Sequence, residues 1–135
     1  MIKSLTLLIA VGISMSCYSQ NNIREFTYNE GDTTYTMKRY VFGFLLSGEN
    51  RSQDSVAVAE IQKGHMEHIN SMAKTGKLVM AGPFENGGEY RGILIFDVES
   101  LEEANELANK DPAVVAGRLK LELIEWWGAK GTCLP

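Results

Sequence analysis

Three stretches of this chain are apolar without alternation: residues 40–46 (YVFGFLL), 78–81 (LVMA) and 93–96 (ILIF). Each has the length of a β-strand, and strand side chains point to the two faces of a sheet in turn, so an unbroken apolar run asks for cover on both faces. A sheet flanked by the two helices that the rest of the pattern offers can be covered on one face only. Exposing the other would leave a patch beyond the roughly few hundred Å² typical of soluble monomers. The economical solution is a second copy of the sheet, and the pattern predicts a homodimer packed sheet against sheet about a two-fold axis.

The connecting segments order these strands. After the first run comes the polar SGENRSQD, in which Asp54 can cap a helix from about Ser55 to Lys74, ended by Gly76 at the C′ position. Residues 77–81 follow, then a Gly82-Pro83 break, a Gly-rich turn at 86–88 and a strand over 92–98. Ser100 with Glu103 three residues later forms a capping box, and opens a second helix that buries Leu101, Ala104, Leu107 and Ala108 before stopping at Asp111-Pro112. The last strand covers 118–126. The order β-α-β-β-α-β is that of an α+β, ferredoxin-like domain.

The first helix carries a histidine in its apolar stripe. Ile61, His65, Ile69 and Met72 recur at spacings of four, four and three and share the inward face. A buried imidazole with an unmet donor or acceptor costs roughly 1–3 kcal/mol, so the downstream chain must supply a polar partner. Asp111, in NKDPAVVAG, is the good candidate. It has an ordinary role too, as the N-cap of a short helix with Pro112 at its first position. The two roles are compatible, because one carboxylate oxygen can cap while the other faces the ring.

The ends of the chain read differently. Residues 1–19 have the form of a secretory signal, with Lys3, a short apolar run over 5–13 and small residues Ser16 and Ser19 near a cut. The run is too short to span a bilayer, and cleavage would leave a mature chain of about 116 residues beginning at Gln20. A lipoprotein with lipid on Cys17 is the alternative, although Ser14-Met15-Ser16 matches such processing poorly. The expectation is export to the periplasm or beyond, with no transmembrane segment in the mature chain. Once Cys17 is removed, Cys133 stands alone and no intramolecular disulfide can form, so the fold rests on its core, for which the length suffices. A formal net charge of −4 and the lack of a basic cluster argue against nucleic acid and anionic membrane as partners.

The run QKGHMEHINSMAKTGKLVMAGPF, then RGILIFDVESLEEA, then KDPAVVAGRLKLELIEWW resembles the YCII (YciI-like) family of the dimeric α+β barrel superfamily. The resemblance covers roughly Tyr40 to Trp127, and rests on the His eleven residues before the Gly of GK, the GPF turn and the DP-x-V-x-x-G segment. It implies a dimeric α+β barrel, with His65 and Asp111 at the positions of the family's active-site pair. It leaves the reaction open: a few relatives are dehydrochlorinases of chlorinated aromatics, and more distant barrels include muconolactone isomerases and small monooxygenases. Residues 20–39, an added hairpin or an arm, and the tail 128–135 fall outside it.

Other candidates have weaker claims. Pro83 and Phe84 sit in a turn that borders the cleft in that family, so Phe84 would be an apolar wall and Arg91 a contact for an anionic substrate; an exposed strand-start cation is the plainer reading of Arg91. His68, on an adjoining stripe, could join His65 and Asp111 around a metal, but two histidines without convincing further ligands argue for none, and Trp126 and Trp127 read as core or interface residues. No nucleophile motif, phosphate loop or CxxC is present, and no cofactor is expected. Two classes of function stay open: a small enzyme performing cofactor-free proton transfer on a cyclic or aromatic molecule, isomerase or lyase in type, with His65 as base and Asp111 orienting it; or a non-catalytic ligand-binding or accessory module whose His–Asp pair is structural.

Overall fold

The computed structural model describes residues 23–132 and residue 134. The expected signal segment, Cys17, the start at Gln20 and Cys133 lie outside them. The described part opens with β1 (Glu25–Glu30) and β2 (Thr33–Ser47), a hairpin turned at Gly31, whose φ of 60° suits glycine. The first long strand therefore starts at Thr33 and not near Tyr40. Its early half, TTYTMKR, is β-branched and aromatic enough for a strand, and pairing with EFTYNE supplies the hydrogen bonds that its polar side chains do not announce. Helix α1 (Ser55–Lys74) begins where Asp54 accepts from the Ala57 N–H at 2.8 Å, and ends before Gly76, with a φ of 75°.

β3 (Leu78–Pro83) and β4 (Tyr90–Phe96) pair antiparallel, and Gly82-Pro83 belongs to that pairing, opposite Ile93 and Gly92, where a break was expected. The proline is tolerated because β3 is an edge strand and needs no N–H there. Helix α2 (Leu101–Ala108) has Ser100 accepting from the Glu103 N–H at 3.2 Å, while the Glu103 carboxylate accepts from the Glu99 N–H at 3.0 Å. The one-turn helix α3 (Pro112–Val115) leads to β5 (Leu119–Ala129), which runs past Trp126 to cover the hairpin end of β2.

Every pairing among the described residues is antiparallel, and the strand order β5-β2-β4-β3 is that of the ferredoxin-like plan. β1 lies on the same side of β2 as β4, end to end with it, because β5 occupies the other side from Met37 to Ser47. Arg24 and Lys38 both reach Asp97, just past β4, at 2.6 Å, and tie the hairpin to the domain. Burial alone would raise the Asp97 carboxyl, but the hydrogen bonds from Lys38 and Arg24 outweigh it and hold the group below its ordinary value.

The two long helices cover one face. Val41, Leu45, Leu94 and Phe96 point from the sheet onto Met72, Ala104 and Ala108, and Leu119, Leu121 and Leu123 join from alternate positions of β5. The opposite face is aromatic. Phe42 lies 4.9 Å from Phe44 and 6.0 Å from Trp126, Trp126 lies 6.0 Å from Tyr40, and Phe44 lies 5.6 Å from Tyr90. Trp126 is thus outside the helix-side core, and Trp127 instead packs edge-on against Phe26 of the hairpin at 4.9 Å.

Candidate active site

His65 is buried on α1, on the stripe it shares with buried Met72 and half-buried Ile61 and Ile69. What brings α1 close to α3 is the glycine before it. A Cβ on Gly64 would stand 2.9 Å from Cγ of Pro112, too close for either rigid group to yield freely. Glycine in a helix interior is unfavourable by about 1 kcal/mol relative to alanine, so the close approach is maintained at the expense of helix propensity. Gly64→Ala should therefore separate α1 from α3, and the imidazole Nδ1–H proton signal should broaden as its hydrogen bond loosens. A sharp, unshifted signal in a variant that is merely more helical would show that the contact has slack.

That approach sets His65 Nδ1 2.6 Å from Oδ2 of Asp111, a residue only 2% exposed. The other carboxylate oxygen, Oδ1, accepts from the Ala113 N–H at 2.8 Å and caps α3, with Pro112 at its first position. Both anticipated roles of Asp111 are thus filled at once. An ionised carboxylate can only accept, so Nδ1 carries the proton and donates it. The lone pair of the neutral ring is then at Nε2, which bonds to none of the described residues and is not sealed from solvent.

Nε2 opens toward a cavity of about 450 Å³ lined by His65, Ile61 and Ile69 of α1, the 81–83 segment of β3, and Arg91 and Leu94 of β4. Pro83 and Arg91 are thus where the sequence suggested. Phe84 is not: it follows Pro83 in extended chain, so it faces the other way, into a shallow depression shared with Phe44 and Tyr90. His68 is also turned aside, its Nε2 donating to the Leu107 carbonyl at 2.8 Å. Among the described residues no three His, Cys, Asp or Glu side chains gather as a metal cluster would require.

Two charged lining residues escaped the sequence reading. Arg51 and Arg118 enter the cavity from the 48–54 loop and the start of β5. These segments are stitched together: the Gly48 N–H donates to the Arg118 carbonyl at 2.8 Å, Asn50 N–H to Gly117 at 3.0 Å, and Asn50 Nδ2 to Ala116 at 3.1 Å. The signal was tertiary, since neither arginine has a local motif. Gly48 was its one trace, because a Cβ there would lie 2.1 Å from the Gly117 carbonyl oxygen.

The YCII-related domain family matches residues 44–127, well over half of the chain. The chain belongs to the YCII-related domain family. This YCII-related domain is 37% identical over 65 residues to the uncharacterized protein YjpA of Bacillus subtilis (strain 168), a match spanning 47% of this chain and 72% of that protein. Among solved structures, muconolactone isomerase superposes with a TM-score of 0.54 at 12% identity, over 71% of this chain and 96% of that one. The 5-chloro-2-hydroxyhydroquinone dehydrochlorinase TftG of Burkholderia phenoliruptrix AC1100, solved with 2,5-dihydroxybenzoquinone, matches with a TM-score of 0.46 at 18% identity, over 64% of this chain and 92% of that one. The isomerase likeness shows the fold, the α+β, ferredoxin-like fold of the dimeric α+β barrels.

Proposed function

We propose that this YCII-related protein is an exported, homodimeric catalyst of cofactor-free proton transfer, isomerase or lyase in type, on a small cyclic or aromatic molecule held beside His65. The observation that carries the reading is the orientation of one ring: Nδ1 donates to a buried carboxylate 2.6 Å away while Nε2 opens on a cavity. A histidine kept only for stability needs no such opening. With its tautomer fixed by Asp111, the ring presents Nε2 as a base, and the carboxylate stabilises the imidazolium that forms when Nε2 takes a proton. The imidazolium then returns the proton to a second carbon, or gives it up to solvent as a leaving group departs. Pro83, Ile61 and Ile69 supply an apolar wall for the ring of the substrate.

The experiment is a search for C–H exchange. Wild-type protein in D2O should wash deuterium into the acidic C–H positions of some members of a panel of cyclic enones, lactones and phenols, followed by NMR. His65→Ala should lower that rate by about 10²–10⁴, the usual contribution of one positioned acid–base group. If the panel binds beside His65 and no exchange above solvent rate occurs on any member, the protein is a binding module with a structural His–Asp pair.

A further inference from the structure

The chain has five arginines, and their surroundings divide them cleanly. Arg24 is paired with Asp97 and Glu99, and Arg39 with Glu125. The other three, Arg51, Arg91 and Arg118, all line the cavity beside His65, and none has a carboxylate within ion-pair distance among the described residues. Their hydrogen bonds go to neutral acceptors at long range: Arg51 to the Arg118 carbonyl at 3.2 Å, Arg91 to the Gly88 carbonyl at 3.4 Å, and Arg118 to Oε1 of Gln53 at 3.3 Å. Each bond engages one nitrogen of a guanidinium that has five N–H donors to give. Among the described residues no aspartate or glutamate lines the cavity, and Asp111 stands behind the His65 ring with both oxygens already engaged. In a chain of net charge −4, this is a concentrated positive site.

We infer that the cavity takes an anion, a small ring compound bearing a carboxylate, with the carboxylate on Arg51, Arg91 and Arg118 and the ring against Ile61, Ile69 and Pro83. The inference rests on the reading of the cavity as a small-molecule site and adds the class of molecule. The planar fork of a guanidinium matches a carboxylate in two-point contact, which a lysine ammonium would not. The arrangement also suits the proposed chemistry. Removal of a proton by Nε2 leaves negative charge on the substrate, and fixed cations in a partly enclosed, apolar-walled site stabilise that charge without rearranging. Selectivity follows as well: an uncharged ring of the same shape would fill the apolar part but leave three cations unanswered.

Matched pairs of acid and amide test this on the full-length protein: benzoate against benzamide, phenylacetate against phenylacetamide, and cinnamate against cinnamamide. Binding is read from the His65 ring resonances and by calorimetry. For at least one pair the acid should bind tenfold or more tightly than its amide and weaken as salt is added. Arg118→Gln and Arg51→Gln should each lower acid affinity about fivefold or more, leave amide affinity within twofold, and keep the Nδ1–H signal of the His65–Asp111 bond as proof of an intact site. If acid and amide bind beside His65 equally in every pair, or the arginine variants weaken both alike, the cavity is a small-molecule site and the anion inference is overturned. If no member of any pair perturbs His65, the small-molecule reading falls, and the inference with it.

Discussion

Replacing Asp111 with alanine should destabilise the domain by about 1.5–5 kcal/mol. Two effects combine. The buried imidazole loses the acceptor of its Nδ1–H, at a cost of about 1–3 kcal/mol, and α3 loses its N-cap, worth about 0.5–2 kcal/mol. Both depend on one side chain, because Oδ2 meets His65 while Oδ1 meets the Ala113 N–H. Asp111→Asn separates them. An asparagine caps almost as well, so its amide oxygen should keep α3 in place and most of the stability, while the carboxylate that fixes the ring tautomer is gone. Urea unfolding of the two variants should therefore rank wild type above Asp111→Asn above Asp111→Ala, and imidazole 15N shifts should show the proton no longer confined to Nδ1 in Asp111→Asn. Equal stability of Asp111→Ala and wild type would mean that neither bond matters to the fold.

The parts of this site that the sequence revealed are those governed by local periodicity and capping. The stripe Ile61, His65, Ile69 and Met72 put the histidine indoors, and Asp-Pro after a helix marked both a cap and an available carboxylate. Burial then forced the pairing, since a lone buried imidazole has to find an acceptor. Other features were hidden for identifiable reasons. Residues 33–39 became strand because β1 and β5 flank them, a pairing that no hydrophobic pattern records. Phe84 was expected beside Pro83 in the cleft, but neighbours in extended chain face opposite sides. Gly64 reads as a weak helix residue until Pro112 is packed against it. Arg51 and Arg118 are separated by most of the domain in sequence, and only the strap of hydrogen bonds from residues 48–53 to 116–118 brings them to one cavity.

The same sheet carries an aromatic surface on the face away from His65. Tyr40, Phe42, Phe44 and Trp126 form a connected set of rings there, with Ile124 and Val79 each 51% exposed beside them. Under the proposed homodimer, two such faces cover each other about a two-fold axis, so every substitution on the face is introduced twice. Phe42→Asp places an unpartnered carboxylate at the centre of that contact, at about 3 kcal/mol or more per copy. Doubled by symmetry, the penalty should weaken dimerisation by about 10⁴-fold or more. Light scattering at micromolar concentration should then give the mass of two chains for wild type and of one chain for Phe42→Asp. The His65–Asp111 bond joins α1 to the start of α3 within one chain, so the monomeric variant should still show its Nδ1–H signal. A wild-type protein that stays a single chain across that concentration range would refute the sheet-to-sheet dimer. The chain would then display a connected aromatic face to solvent, and the unbroken apolar runs at 40–46 and 93–96 would need another partner to explain them.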